Sequence, residues 1–289
     1  MIESERGSID YHACGDGPTI VLVPGSCSTG AAWRSVIAQF GDEFRCITTS
    51  LLGYGGTAER RTIQDPDISH EAEALEAVVE RAACPVHLVG HSFGGLVSLA
   101  VALRRRVPLL SLVIIEAPAP GVLRCMGEDQ HYLAFRNMTD AYFDACQAGD
   151  PTAIEAMIDF YGGAGTFASW PQRVRDYAVQ TTAVNLLDWA SAYGFQPGPA
   201  ALATVRVPSL ILRGEHSHPA VQRANELLAQ CLPEASLTTL TGASHFMIAT
   251  HAEYVASLIA RRVRRVECVA SIRMRARQST ASSHEVHPR

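Results

Sequence analysis

Lysine is absent from this chain, and all 24 basic residues are arginine. There is therefore no Walker A lysine for a nucleotide phosphate and none to form a Schiff base with pyridoxal phosphate. Long apolar runs are missing too: no stretch of about 18 apolar residues, the length a membrane-crossing helix needs, occurs anywhere. The first ten residues, MIESERGSID, are charged and lack the apolar core of a secretory leader. A soluble, cytoplasmic protein without membrane association is the expectation. The cysteines at 14, 27, 46, 84, 125, 146, 231 and 268 include no Cys-x-x-Cys pair. That spacing offers neither a zinc site nor a disulfide framework, and it points to reduced, mostly buried thiols.

Positive charge is scarce in most of the chain. The formal net charge is −5, but residues 261–289 carry +6, which leaves −11 for residues 1–260. An acidic body argues against nucleic acid as a partner. The basic end, RMRARQSTASSHEVHPR, has no aromatics and no apolar periodicity, so residues 266–289 are expected to form a disordered, solvated tail.

What remains is ample for a core: 289 residues, 47% of them hydrophobic. Short β-branched runs at 19–23, 45–49, 86–90, 111–115, 209–213 and 236–240 read as strands buried on both faces. Segments of helical period separate them, such as Leu75, Val78, Val79 and Ala82 at i, i+3, i+4 and i+7. This alternation predicts an α/β protein with a mostly parallel, doubly wound sheet. Residues 119–200 break the pattern. They show helical periods, as at Ile154, Met157, Ile158 and Tyr161, but no convincing strand, and they hold 12 of the 20 aromatics. A helical insertion is expected there, with its rings either forming a core of their own or lining an apolar pocket.

The stretch VHLVGHSFGG places Gly90-His91-Ser92-Phe93-Gly94 between a strand and the helical run GLVSLAVAL. That is the nucleophile elbow, Gly-x-Ser-x-Gly, in the strand-turn-helix setting that gives it meaning. A turn so tight strains the serine and requires small neighbours, which Gly90, Gly94 and Gly95 provide. The following helix aims its N-terminal amides at the serine, so the Phe93 N–H is a candidate oxyanion donor.

With TIVLVPGSCSTGAAWRSV, ITTSLLGYGGT and GASHFMIATHAEYVASLI beside the elbow, the chain resembles the α/β-hydrolase fold superfamily over residues from about 5 to 265. The resemblance implies a core domain of residues 1–118 and 201–265, with residues 119–200 as a helical cap. It makes the N–H of Ser26 the second oxyanion donor, although the usual His-Gly reads Pro24-Gly25 here. It also makes His245, in the loop before the last helix, the base that takes the Ser92 proton. Cys27 reads as a loop filler. His216, His218 and His245 have no acidic partner at ligand spacing, so no metal is expected.

A triad also needs an anion to orient the imidazole and stabilise its charged form. Relatives keep an aspartate where this chain has Ser217. Two carboxylates can substitute: Glu116, at the end of the 111–115 strand, where haloalkane dehalogenases carry theirs, and Glu215, two residues before Ser217. Glu116 is the favoured acid and Glu215 the alternative. The implied activity is a serine hydrolase acting without a cofactor on a small to medium, largely apolar carboxylic ester. A carbon–carbon bond hydrolase using the same triad and a small-molecule receptor of the same fold are the alternatives.

Overall fold

The computed structural model describes residues 1–3 and 7–282, with side chains as far as residue 272. Its seven strands are β1 (His12–Cys14), β2 (Thr19–Val23), β3 (Arg45–Thr48), β4 (Val86–His91), β5 (Leu109–Ile115), β6 (Ser209–Gly214) and β7 (Ala235–Leu240). They form one sheet in the order β1-β3-β2-β4-β5-β6-β7. Only β1 runs antiparallel, against β3; every other pairing is parallel. The mostly parallel architecture is the one the sequence predicts.

Every residue of β2 and of β4 is buried, because helices cover both faces of the sheet. One apolar cluster joins Val21, Leu88 and Ile114 to the helices Ser69–Ala82, Phe93–Arg104 and Pro219–Cys231. The other joins Ile20, Val89 and Val113 to Trp33, Val36 and the stripe Val255, Ile259 and Val263 of the final helix. Each fully buried Val, Leu or Ile contributes about 1.5–3 kcal/mol, so this two-sided burial fixes the strand ends that carry the site. Among the described residues no helix is long and apolar enough to cross a membrane. All eight cysteines are free, but contrary to the sequence expectation only Cys27 and Cys46 are buried.

Three further features differ from the sequence reading. Strand β1, three exposed residues long, has no apolar signal to reveal it. Strand β7 is not buried on both faces: it is the sheet's edge, with Ser236 and Leu237 exposed. Residues 266–282, expected to be disordered, continue a helix that spans Ala252–Ser282. Neither glycine nor proline occurs between 243 and 287, so no breaker stops the helix once its first turns pack on the sheet. Glu267 also meets the buried His87 at 3.0 Å. Residues 283–289 lie outside the described residues.

Between β5 and β6 the chain forms helices and no strand, from Pro120–Cys125 to Pro199–Leu202. The predicted period is present in Ile154–Gly162, where Ile154, Met157, Ile158 and Tyr161 are all buried.

Candidate active site

One residue separates β4 from the helix Phe93–Arg104, and that residue is Ser92, with φ 54° and ψ −128°. Such a positive φ is strained for a side chain with a Cβ. The turn closes so tightly that a Cβ on Gly90 would stand 2.3 Å from the Gly94 carbonyl oxygen, and one on Gly94 would stand 2.1 Å from that of Pro24. Larger residues at either position would push the elbow open.

Ser92 Oγ lies 3.0 Å from His245 Nε2, and His245 Nδ1 lies 3.2 Å from Glu116 Oε2. A carboxylate only accepts, so Nδ1–H donates to Glu116 and Nε2 is left to accept from the Ser92 hydroxyl. The other carboxylate oxygen, Oε1, accepts from the Gly214 N–H at 2.6 Å. Glu116 is fully buried, with φ 56°, immediately after β5. The next residue is held on both sides: the Ala117 N–H donates to Asn225 Oδ1, and Asn225 Nδ2–H donates to the Ala117 carbonyl. A strained backbone pinned one residue downstream thus sets the glutamate's direction.

The structure brings Ser92, His245 and Glu116 together and leaves Glu215 apart. Glu215 is exposed and accepts from the Gly242 N–H at 2.8 Å. Ser217 is buried, and its hydroxyl has no hydrogen-bond partner.

On the opposite side, a Cβ on Gly25 would stand 2.8 Å from that of Ser92, so only glycine lets the loop after β2 pass this close. Ser26 follows directly, and both Ser26 and Phe93 line the same cavity as Ser92. Cys27 lines it too, but burial and the nearby Asp188 charge push its thiol up to about 12, which keeps it protonated and a poor nucleophile. His91 is held neutral: burial, then the adjacent His245, lower its pKa to about 3. Its Nε2–H donates to the His245 carbonyl at 2.8 Å, which braces the histidine loop.

The cavity has a volume of about 380 Å³. Met157, Ile158, Trp170 and Trp189 of the helical segment face Ser92, His245 and Phe246 across it. Tyr161 stacks on the His245 ring at 4.0 Å between centroids, and Phe246 meets that ring edge-on at 5.1 Å. Both readings of the segment's aromatics apply, to different faces: Phe135 and Tyr142 form a core, while Trp170 and Trp189 line the cavity.

A buried polar cluster adjoins one wall. Arg61, with no exposed side-chain surface, meets Asp188 at 2.8 Å, Glu59 at 2.8 Å and Glu71 at 3.3 Å. Tyr54 donates its hydroxyl to Asp188 at 2.6 Å. Burial raises the Asp188 carboxyl above the usual range, against the pull of Arg61 and of hydrogen bonds from Ser26 and Tyr54. Burial likewise pushes Glu71 up to about 8 despite Arg61. None of these five residues follows a sequence spacing rule, and two of them sit 127 positions apart.

A profile of the alpha/beta hydrolase family matches residues 20–258. The 2-hydroxymuconate semialdehyde hydrolase of a Pseudomonas species is 25% identical over 267 residues, which cover 86% of this chain and 88% of that protein. Among solved structures, a thermophilic esterase from Thermogutta terrifontis superposes with a TM-score of 0.71 at 21% identity, covering 89% of this chain and 93% of its own. The enol-lactonase from Burkholderia xenovorans LB400 superposes with a TM-score of 0.73 at 18% identity, covering 90% and 97%.

Proposed function

Because the chain belongs to the alpha/beta hydrolase family, we propose that it is a serine hydrolase that cleaves a small to medium, largely apolar carboxylic ester through an acyl-enzyme on Ser92. The unbroken hydrogen-bond chain Ser92–His245–Glu116, opening onto an apolar cavity, is the observation that carries this reading.

His245 takes the proton as Ser92 Oγ attacks the ester carbonyl, and the Ser26 and Phe93 N–H groups receive the developing oxyanion. Glu116 holds Nδ1–H toward itself and stabilises the imidazolium. His245 then gives its proton to the leaving alcohol, and water, deprotonated by the same imidazole, releases the acid. The scheme requires no cofactor. The substrate enters beneath residues 119–200, which act as a helical cap over the core of 1–118 and 201–265.

A serine nucleophile does not suit dehalogenase or epoxide hydrolase chemistry, which needs an alkyl ester on a carboxylate. Carbon–carbon bond cleavage of a diketone is the second reading, supported by the 25% identity to 2-hydroxymuconate semialdehyde hydrolase. The test is intact-mass analysis after a fluorophosphonate probe, joined to steady-state rates on a chain-length series of aryl esters. One covalent adduct, absent from Ser92→Ala, and multiple turnovers on esters are expected. An adduct without ester turnover would favour the diketone reading, and no adduct with at most one turnover would favour a receptor.

A further inference from the structure

We propose that Asn185 is a specificity-determining residue, whose side-chain carbonyl reads a hydrogen-bond donor, a hydroxyl or an amide N–H, on an otherwise apolar and uncharged substrate. The inference rests on the serine-hydrolase reading of the same cavity.

Asn185 lies on the helix Thr182–Gly194, where Asn185, Asp188, Trp189 and Ala192 recur at i, i+3, i+4 and i+7, and all four line the cavity. Three of them have an evident task there. Trp189 and Ala192 supply apolar surface, and Asp188 is engaged by Arg61 and Tyr54. Asn185 is 2% exposed, and its Oδ1 has no hydrogen-bond partner. Among the described residues it alone both lines the cavity and carries a buried side-chain polar atom without one.

An orphaned buried amide is destabilising, by about 1–3 kcal/mol for the unmet desolvation of one group. A leucine of similar size would fill the same place on an apolar wall without that cost. The amide is therefore matched to something that enters the cavity. Oδ1 is an acceptor, so the incoming group must donate. A carboxylate or phosphate offers no donor and would also approach the Asp188 carboxylate one helical turn away. A site built to hydrogen-bond a substrate group rejects the analogue that lacks it far more strongly than an apolar pocket discriminates one methylene.

The experiment pairs neutral esters that carry a hydroxyl or an amide N–H, in the acyl chain or in the alcohol, with counterparts in which a methyl or methylene replaces the donor. The wild-type enzyme should prefer at least one donor-bearing ester over its counterpart by roughly ten- to hundredfold in kcat/KM, the effect of one buried hydrogen bond. In Asn185→Leu that ratio should collapse toward one. The thermal midpoint of Asn185→Leu should equal or exceed the wild-type value, because an unmet polar group has been removed; a fall of several degrees would mark a structural residue and overturn the proposal. Wild-type rates that ignore the donor in every pair, or a preference that survives in Asn185→Leu, would overturn it equally. If the wild-type protein turns over no ester and takes no fluorophosphonate, the hydrolase reading itself fails and this one falls with it.

Discussion

The Gly214 N–H donates to Glu116 Oε1 at 2.6 Å, so the end of β6 holds the carboxylate that follows β5. The turn after β6, where the sequence resemblance looks for the acid, has the buried, unpartnered Ser217 instead. Glu116→Gln should lower kcat by on the order of 10³–10⁴, since the amide cannot stabilise an imidazolium. Glu215→Gln should keep most activity, because Glu215 is exposed and bonds Gly242 instead of His245. Adding Ser217→Asp to Glu116→Gln should recover part of the loss. Steady-state kinetics on the four proteins decides the matter, and a dead Glu215→Gln enzyme would place the acid at the end of β6 instead.

Ser92→Ala should abolish ester hydrolysis, by several decades in kcat, and leave the fold intact. The alanine meets the same backbone strain as the serine, so the thermal midpoint should stay within a few degrees. Residual activity above about a tenth of the wild-type rate would remove Ser92 as the nucleophile.

How the sequence relates to this site differs residue by residue. The elbow is legible because strand, Gly-x-Ser-x-Gly and helix are contiguous, and the meeting of His245 with Ser92 follows from their positions in the family's chain order. Glu116 is legible only through the vacancy at 217, since nothing local distinguishes it from a charge at a strand end. Tyr161 is different again. Its helical spacing marks an inward face, but core and cavity demand the same apolar residues, so no period separates stacking on His245 from packing. Arg61, Glu59, Glu71, Asp188 and Tyr54 read locally as ordinary polar residues of a loop and two helices. Only the long-range approach of the helix Thr182–Gly194 to the loop after β3 makes them one cluster. The helix through residue 282 escapes the compositional reading because a solvated helix and a disordered tail share a polar, arginine-rich sequence.

The same cluster predicts substrate charge. Among the described residues that line the cavity, Asp188 is an acid and none is an arginine. At roughly 10 Å and an effective dielectric of about 20, one such charge repels an anion by about 1.7 kcal/mol. A carboxylate-bearing ester should therefore show at least about tenfold lower kcat/KM than its neutral analogue. A preference for the anionic ester would show that the cluster does not govern the cavity's potential.

Glu71 also sets a stability trend with pH. Its carboxyl sits at about 8 in the folded chain against the usual 4.5, and it is buried, so the folded state holds a proton there that the unfolded state lacks between those values. The stabilising contribution is complete below pH 4.5 and is lost as pH rises through 8. His91 works in the opposite sense, because its depressed value of about 3 makes stability fall on acidification below about 6.5. The two overlap below pH 6.5, so the Glu71 effect is cleanest between 6.5 and 8.5. Across that window the wild-type thermal midpoint should fall, and Glu71→Gln should flatten the decline, since its amide is neutral throughout and can still accept from the Leu52 N–H. Melts of both proteins at half-unit pH steps test this. Parallel curves would show that Glu71 is ionised in the folded protein and that Arg61 outweighs its burial.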